Sequence, residues 1–156
     1  MDQKFRILVE ILAPKLESLV AMPPLAYGQL PRTMPKSGVY LFSEGDTHLY
    51  VGRSNGLRGR HGRHCRPGAT YRQAAFAFRL AREVTDRTVA SYRPGKDSRR
   101  GLMDDATFAL EFQAAKARIR SMAYRYVEED DQNRQALLEI YCAVVLETRY
   151  NDFGTH

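Results

Sequence analysis

The sequence has few cysteines, no internal repeat, no low-complexity tract and no apolar run approaching the length of a membrane span. Each shortage removes a class of protein. Without a repeat there is no solenoid or array, and without a long apolar stretch no membrane partner is expected. The first residues, Met1-Asp2-Gln3-Lys4, lack the basic-then-apolar layout of a secretion signal. Cys65 and Cys142 lie far apart and form no C-x-x-C pair. The expectation is a reducing, cytoplasmic setting. What is present is an ordinary composition, 44% hydrophobic and 27% charged over 156 residues. That is room for one domain with a real core.

Acidic residues are scarce where basic ones crowd. Residues 53–100 hold thirteen Lys or Arg against only Glu83, Asp86 and Asp97, a net charge of +10. Residues 1–52 balance to zero, and residues 101–156 carry −4. All but Lys96 of the thirteen are arginine, whose planar fork matches phosphate better than an ammonium does. So lopsided a block points to a polyanionic partner. The alternative is a solvated basic surface that only aids solubility.

Periodicity gives the elements. Residues 4–20 read as an amphipathic helix that Pro14 should end or kink. A Pro-rich connector follows, and then a hairpin: Gly38–Phe42, a turn at Gly45-Asp46, and His48–Arg53. Ser54 or Asn55 is placed to cap a short helix reaching His64. Tyr71–Thr85 reads as a helix, 91–101 as a basic loop, and Asp104 or Asp105 as the cap of a helix through Lys116. Residues 118–128 alternate well enough for a strand. Asp130-Asp131 opens a last helix, Gln132–Leu146. The class is α+β, a small central antiparallel sheet of three strands flanked by helices, with an extra N-terminal helix.

Centring the hairpin on Gly45 pairs Val39 with Val51, Leu41 with Leu49, Tyr40 with Tyr50 and Gly38 with Gly52. Val39, Leu41, Leu49 and Val51 then share a face that should bury against helices. The other face holds Gly38, Tyr40, Phe42, His48, Tyr50 and Gly52, with the glycines as a shallow floor for a phosphate. An aromatic pair that merely covers the sheet is the competing account. Arg60 and His64 follow at i, i+4 and share one helical face, with Arg53 at the strand's end and Leu57 anchoring the helix. On the last helix Leu137, Tyr141, Val144 and Val145 form the main apolar face. Glu139 lies among Ala136, Cys142, Ala143 and Leu146, where a carboxylate should be paired or metal-bound.

Gly38-Val39-Tyr40, nine residues, then Tyr50-Val51-Gly52 resembles the paired motifs of the GIY-YIG nuclease family, in the valine form. Arg60, His64, Glu139 and Asn151 stand where that family has an arginine, a histidine, a metal-binding glutamate and an asparagine. The resemblance spans roughly residues 36–151, which divides the chain into a helix and connector over 1–35 and a nuclease-like domain over 36–156. It implies hydrolysis of phosphodiester bonds, with DNA favoured over RNA as the partner. Glu139 would hold one Mg²⁺ or Mn²⁺, Arg60 would brace the phosphate oxygens, and Tyr50 would be the general base. Tyr40 would orient water or Tyr50, His64 would contact phosphate or relay protons, and Asn151 would position the backbone.

Arg53, Arg58, Arg63, Arg93, Lys96, Arg99 and Arg100 are the candidate grip on nucleic acid. Residues 1–35 are a candidate for docking a second copy or a protein partner. Two rivals stand beside this account. One is a non-catalytic nucleic-acid-binding module on the same scaffold. The other is a zinc site from His61, His64 and Cys65, which lacks a second ligand cluster and is opposed by flanking arginines.

Overall fold

Pro14 sets the first joint of the fold. It has no N–H for the carbonyl of Glu10, and its ring crowds that carbonyl. The helix expected over 4–20 is therefore two helices, α1 (Gln3–Glu10) and α2 (Leu12–Ala21), meeting at Ile11. Asp2 opens α1 by accepting from the N–H groups of Lys4 at 2.8 Å and Phe5 at 3.3 Å. The computed structural model describes residues 1–88 and 95–154. Among the described residues no helix is long and apolar enough to cross a membrane.

The hairpin strands β1 (Gly38–Glu44) and β2 (Thr47–Ser54) are followed by α3 (Leu57–Cys65), α4 (Ala75–Val84), α5 (Arg99–Met103) and α6 (Ala106–Arg120). Then come β3 (Ala123–Glu128) and α7 (Gln132–Val145). The three strands form one antiparallel sheet in the order β2-β1-β3. The fold is α+β, a small three-stranded sheet flanked by helices. By compactness the chain divides into two units: Met1–Arg60 with Met122–His156, and His61–Ser121. The boundary falls inside α3.

The hairpin register differs from the expected one by two residues. Tyr40 faces Gly52, Leu41 faces Val51 and Phe42 faces Tyr50. One step arises because Gly45-Asp46 is a two-residue turn, with Gly45 at φ +56° and Glu44 paired to Thr47. The second is a bulge beyond Phe42, where the pairing skips Leu49. A single step would have exchanged the two faces of β2; two steps restore them. Only the end past the bulge is inverted. His48, expected on the tyrosine face, pairs with Ser43 instead, its Nδ1 2.8 Å from Ser43 Oγ.

The aliphatic face of the hairpin meets the expected helices. Val39, Leu41 and Val51 form one buried cluster with Leu12, Leu16 and Leu19 of α2 and Leu138, Cys142 and Ala143 of α7. The N-terminal segment thus supplies part of the first unit's core. α7 turns differently from expectation. Val144 and Val145 are 66% and 51% exposed, and the buried stripe is Gln135, Leu138 and Cys142. Gln135 tolerates burial because its amide nitrogen reaches Glu129 O at 2.6 Å and Asn55 Oδ1 at 3.0 Å.

The second unit departs from expectation at three boundaries. α4 begins at Ala75, after a turn in which Thr70 N–H donates to Gln73 Oε1 at 3.0 Å. The basic loop ends in helix α5, capped by Ser98 Oγ accepting from Gly101 N–H at 3.0 Å. Residues 118–120 close α6 rather than opening a strand, with Ala115 and Ile119 both buried at i, i+4. Alternation of arginine and apolar residues satisfies a helix there as well as a strand. This core is aromatic: Phe78 lies 5.1 Å from Phe108 and 6.2 Å from Phe112.

Candidate functional site

The end of β2, the start of α3 and one face of α7 enclose a polar cleft of about 440 Å³, lined by Arg53, Ser54, Asn55, Arg60, Gln132, Gln135 and Glu139. Strand pairing explains how Arg53 comes to be there. It remains within β2, opposite Val39, and so projects on the side where α7 packs. Its Nε lies 3.1 Å from Glu139 Oε2. Glu139 is three-quarters buried, with 22% of its side chain exposed, against 41% for Arg53. Burial raises the carboxyl above its ordinary value of 4.5, while Arg53 and then Arg60 hold it down. Arg60 is half-buried, and its Nε has no hydrogen-bond acceptor among the described residues. A buried guanidinium N–H without an acceptor is costly, and an entering oxyanion would satisfy it.

Amides form another wall. Asn55 and Gln132 exchange hydrogen bonds, Nδ2 to Oε1 at 3.2 Å and Nε2 to Oδ1 at 2.8 Å, and Gln135 joins at Asn55 Oδ1. These amides tie the end of β2 to the first turns of α7 and so fix Glu139 relative to Arg53. Sequence reasoning gave Asn55 only a capping role and passed over Gln132 and Gln135, since glutamine on a helix carries no signal of its own.

Tyr40 connects the aromatic side of the sheet to this cleft. Its ring lies over Gly52, where an added Cβ would stand 2.2 Å from the phenol oxygen. The glycine hollow is thus filled by Tyr40 and is not an open floor for phosphate. Gly38 is likewise required by packing, since a Cβ there would meet Val127 O at 2.0 Å. Burial, and next to it Tyr50, push the Tyr40 phenol well above its ordinary value; Arg60 opposes them, and Tyr124 and Glu139 add to the rise. Tyr50 is the more exposed tyrosine, its ring 6.3 Å from that of Tyr40.

Asn151 acts on the strand. Its Nδ2 donates to Val51 O at 2.7 Å, and its Oδ1 accepts from Val51 N–H at 2.8 Å. The side chain thereby pairs with the open edge of β2 as a neighbouring strand would. Thr148 Oγ1 donates to the same Oδ1 at 2.8 Å. Asn151 holds the backbone beside Tyr50.

The remaining candidates are dispersed. His64 belongs to the second unit, where it is 1% exposed and edge-on to Phe76 at 6.4 Å. In that unit Cys65 Sγ donates to His61 O at 3.0 Å and stands 4.0 Å from His61 Nδ1. Arg58 lines a separate cleft of about 370 Å³ with Arg32 and Lys36, and donates to Pro31 O and to Arg32 O. Arg99 is committed within its own unit, donating to Tyr71 O at 2.9 Å and lying over the Phe78 ring at 5.3 Å. Arg63 is half-buried, and Lys96 and Arg100 are exposed. Arg93 lies outside the described residues.

The donor set limits what metal the cleft suits. Among the described residues no three His, Cys, Asp or Glu side chains gather as a metal site, which excludes from them a zinc cage of protein ligands. A hard, largely hydrated ion needs only one carboxylate plus substrate oxygens. Glu139 provides that carboxylate in a roomy polar cleft, so the residues fit Mg²⁺ or Mn²⁺. Set against protein-family models, curated proteins and solved structures, the chain matches none.

Proposed function

We propose that this protein is a divalent-metal-dependent endonuclease of the GIY-YIG type, cutting phosphodiester bonds of nucleic acid, with DNA favoured as substrate. One observation carries the reading. Arg53, Arg60 and the largely buried Glu139, from three separate elements, line a single cleft whose charges also reach Tyr40. The resemblance read from the sequence singles out Tyr40, Arg60 and Glu139 of these without reference to the fold.

In the reaction, water attacks phosphorus as the bond to the 3′ oxygen breaks, and the water's proton leaves to a base. Arg60, whose Nε lacks an acceptor among the described residues, takes a non-bridging oxygen where charge grows. Tyr50, acting as phenolate, takes the proton as the general base. Tyr40, kept protonated, orients the water or Tyr50 by hydrogen bonding. Glu139 would hold a Mg²⁺ or Mn²⁺, which would supply charge neutralisation for the phosphate and the leaving oxygen.

Supercoiled plasmid incubated with the protein and Mg²⁺ provides the test. Nicking is expected, with loss in excess EDTA and in Glu139→Gln. Binding of DNA without metal-dependent nicking would instead identify a non-catalytic binding module.

A further inference from the structure

The cleft holds two guanidinium groups and one carboxylate, a net charge of +1. Such a site attracts an anion and repels a divalent cation. The carboxylate that should anchor the cation is engaged, since Arg53 Nε sits 3.1 Å from Glu139 Oε2. A metal ion entering the free protein would face the positive field and compete with a guanidinium for Glu139. A phosphodiester faces neither obstacle. It finds the Arg60 Nε without an acceptor among the described residues, and its charge brings the cleft from +1 to neutral. Arg53 is 41% exposed, and an ion pair made by so exposed a side chain is weak. Exchanging Glu139 for a phosphate oxygen therefore costs it little.

We propose that Arg53 is a placeholder on Glu139. In the free protein it keeps divalent cations off the carboxylate, and an entering phosphodiester draws it away, so that phosphate and metal bind as a coupled pair. The device rests on the nuclease reading and adds an order of events: nucleic acid first, metal second. Free metal would then be held poorly by idle enzyme. Linkage requires the coupling to be reciprocal, with phosphate strengthening metal binding by the factor by which metal strengthens phosphate binding.

The test uses the full chain, Mn²⁺ measured by the EPR signal of the free ion, and inorganic phosphate as the anion, corrected for Mn²⁺–phosphate association in protein-free buffer. In wild type, phosphate should tighten Mn²⁺ binding by a factor within about 5–150, and Mn²⁺ should tighten phosphate binding equally. Arg53→Met should bind Mn²⁺ at least about fivefold more tightly without phosphate, and its coupling should shrink. Arg53→Lys, which keeps the charge, should retain most of the coupling, and Glu139→Gln should lose Mn²⁺ binding throughout. Wild-type Mn²⁺ affinity that ignores both phosphate and Arg53→Met would overturn the placeholder, while EDTA-sensitive nicking left the nuclease reading standing. Absence of Mn²⁺ binding in every arm would remove the placeholder and the metal role together. The wild-type coupling needs no variant, so the proposal stays exposed to test even if Arg53→Met folds poorly.

Discussion

A phenol serves as a base only where its anion is tolerated, and Tyr40 sits where it is not: 2% exposed, with burial and Tyr50 raising its pKa. Tyr50 is half-buried and free of that degree of desolvation. Tyr50→Phe should therefore lower the single-turnover rate by about 10²–10⁴-fold, the range for a positioned proton acceptor, and Tyr40→Phe by much less. Equal small losses would leave proton removal to some other group. Glu139 adds a test of opposite sign. Its folded pKa is raised, so the folded chain binds the proton more tightly than the unfolded one, and stability falls as pH rises from 4.5 through the raised value. Glu139→Gln does not titrate. Its melting temperature should exceed wild type's by a margin that opens through that range and then stays constant. Lost activity with gained stability would mark a functional carboxylate; a destabilised variant at pH 8 would mark a structural one. At this scale Arg53, Arg60 and Glu139, each named from the sequence, line one cleft. The role of Asn55, Gln132 and Gln135 was not legible there, since it depends on amide pairs formed across 77 and 80 residues.

Elements were legible where one local rule dominated and illegible where two gave the same pattern. Pro14 divides a helix by itself, and Asp105 and Asp131 cap α6 and α7 by accepting from Phe108 and Arg134 N–H groups at 3.0 and 2.9 Å. The hairpin bulge has no such marker, so its register was missed while its faces were kept. α3 shows what chemistry an element withholds. His61 is 4% exposed, and burial lowers its pKa from 6.5 to about 4. A depressed histidine contributes stability above the unfolded pKa that is lost as pH falls through the folded one. Acidification from pH 6.5 to 4 should therefore cost the protein about 3 kcal/mol through this imidazole, at about 1.4 kcal/mol per unit. His61→Gln should flatten that part of the pH–stability curve in urea titrations. An unchanged slope would show that His61 does not resist protonation.

Over the whole molecule, charge separates by unit. His61–Ser121 carries thirteen basic and six acidic residues, net +7, whereas the remainder carries eleven and twelve, net −1. The unit with the cleft is nearly neutral, and the positive excess resides in the other, which under the proposed function would divide grip from chemistry. Within the basic unit the arginines are not equivalent. Arg99 is spent on Tyr71 and Phe78, and Arg87 on Asp97 and Asp105 at 3.1 Å each. Lys96 and Arg100 are exposed. Removing Lys96 or Arg100 should weaken binding to every sequence alike and reduce the slope of log affinity against log salt by about 0.9 per phosphate contact on duplex DNA. Arg99→Ala should act through the fold, lowering the melting temperature through loss of its cation–π and carbonyl contacts. Arg60→Ala should cost affinity no more than one phosphate contact and slow single-turnover cleavage by about 10²–10³-fold. Filter binding across a salt series, beside single-turnover cleavage and thermal melts, separates the three kinds of arginine. If Arg60→Ala alone lost affinity while Lys96→Ala and Arg100→Ala bound normally at all salt concentrations, the cleft would be the grip as well, and the basic unit's charge would serve only solubility.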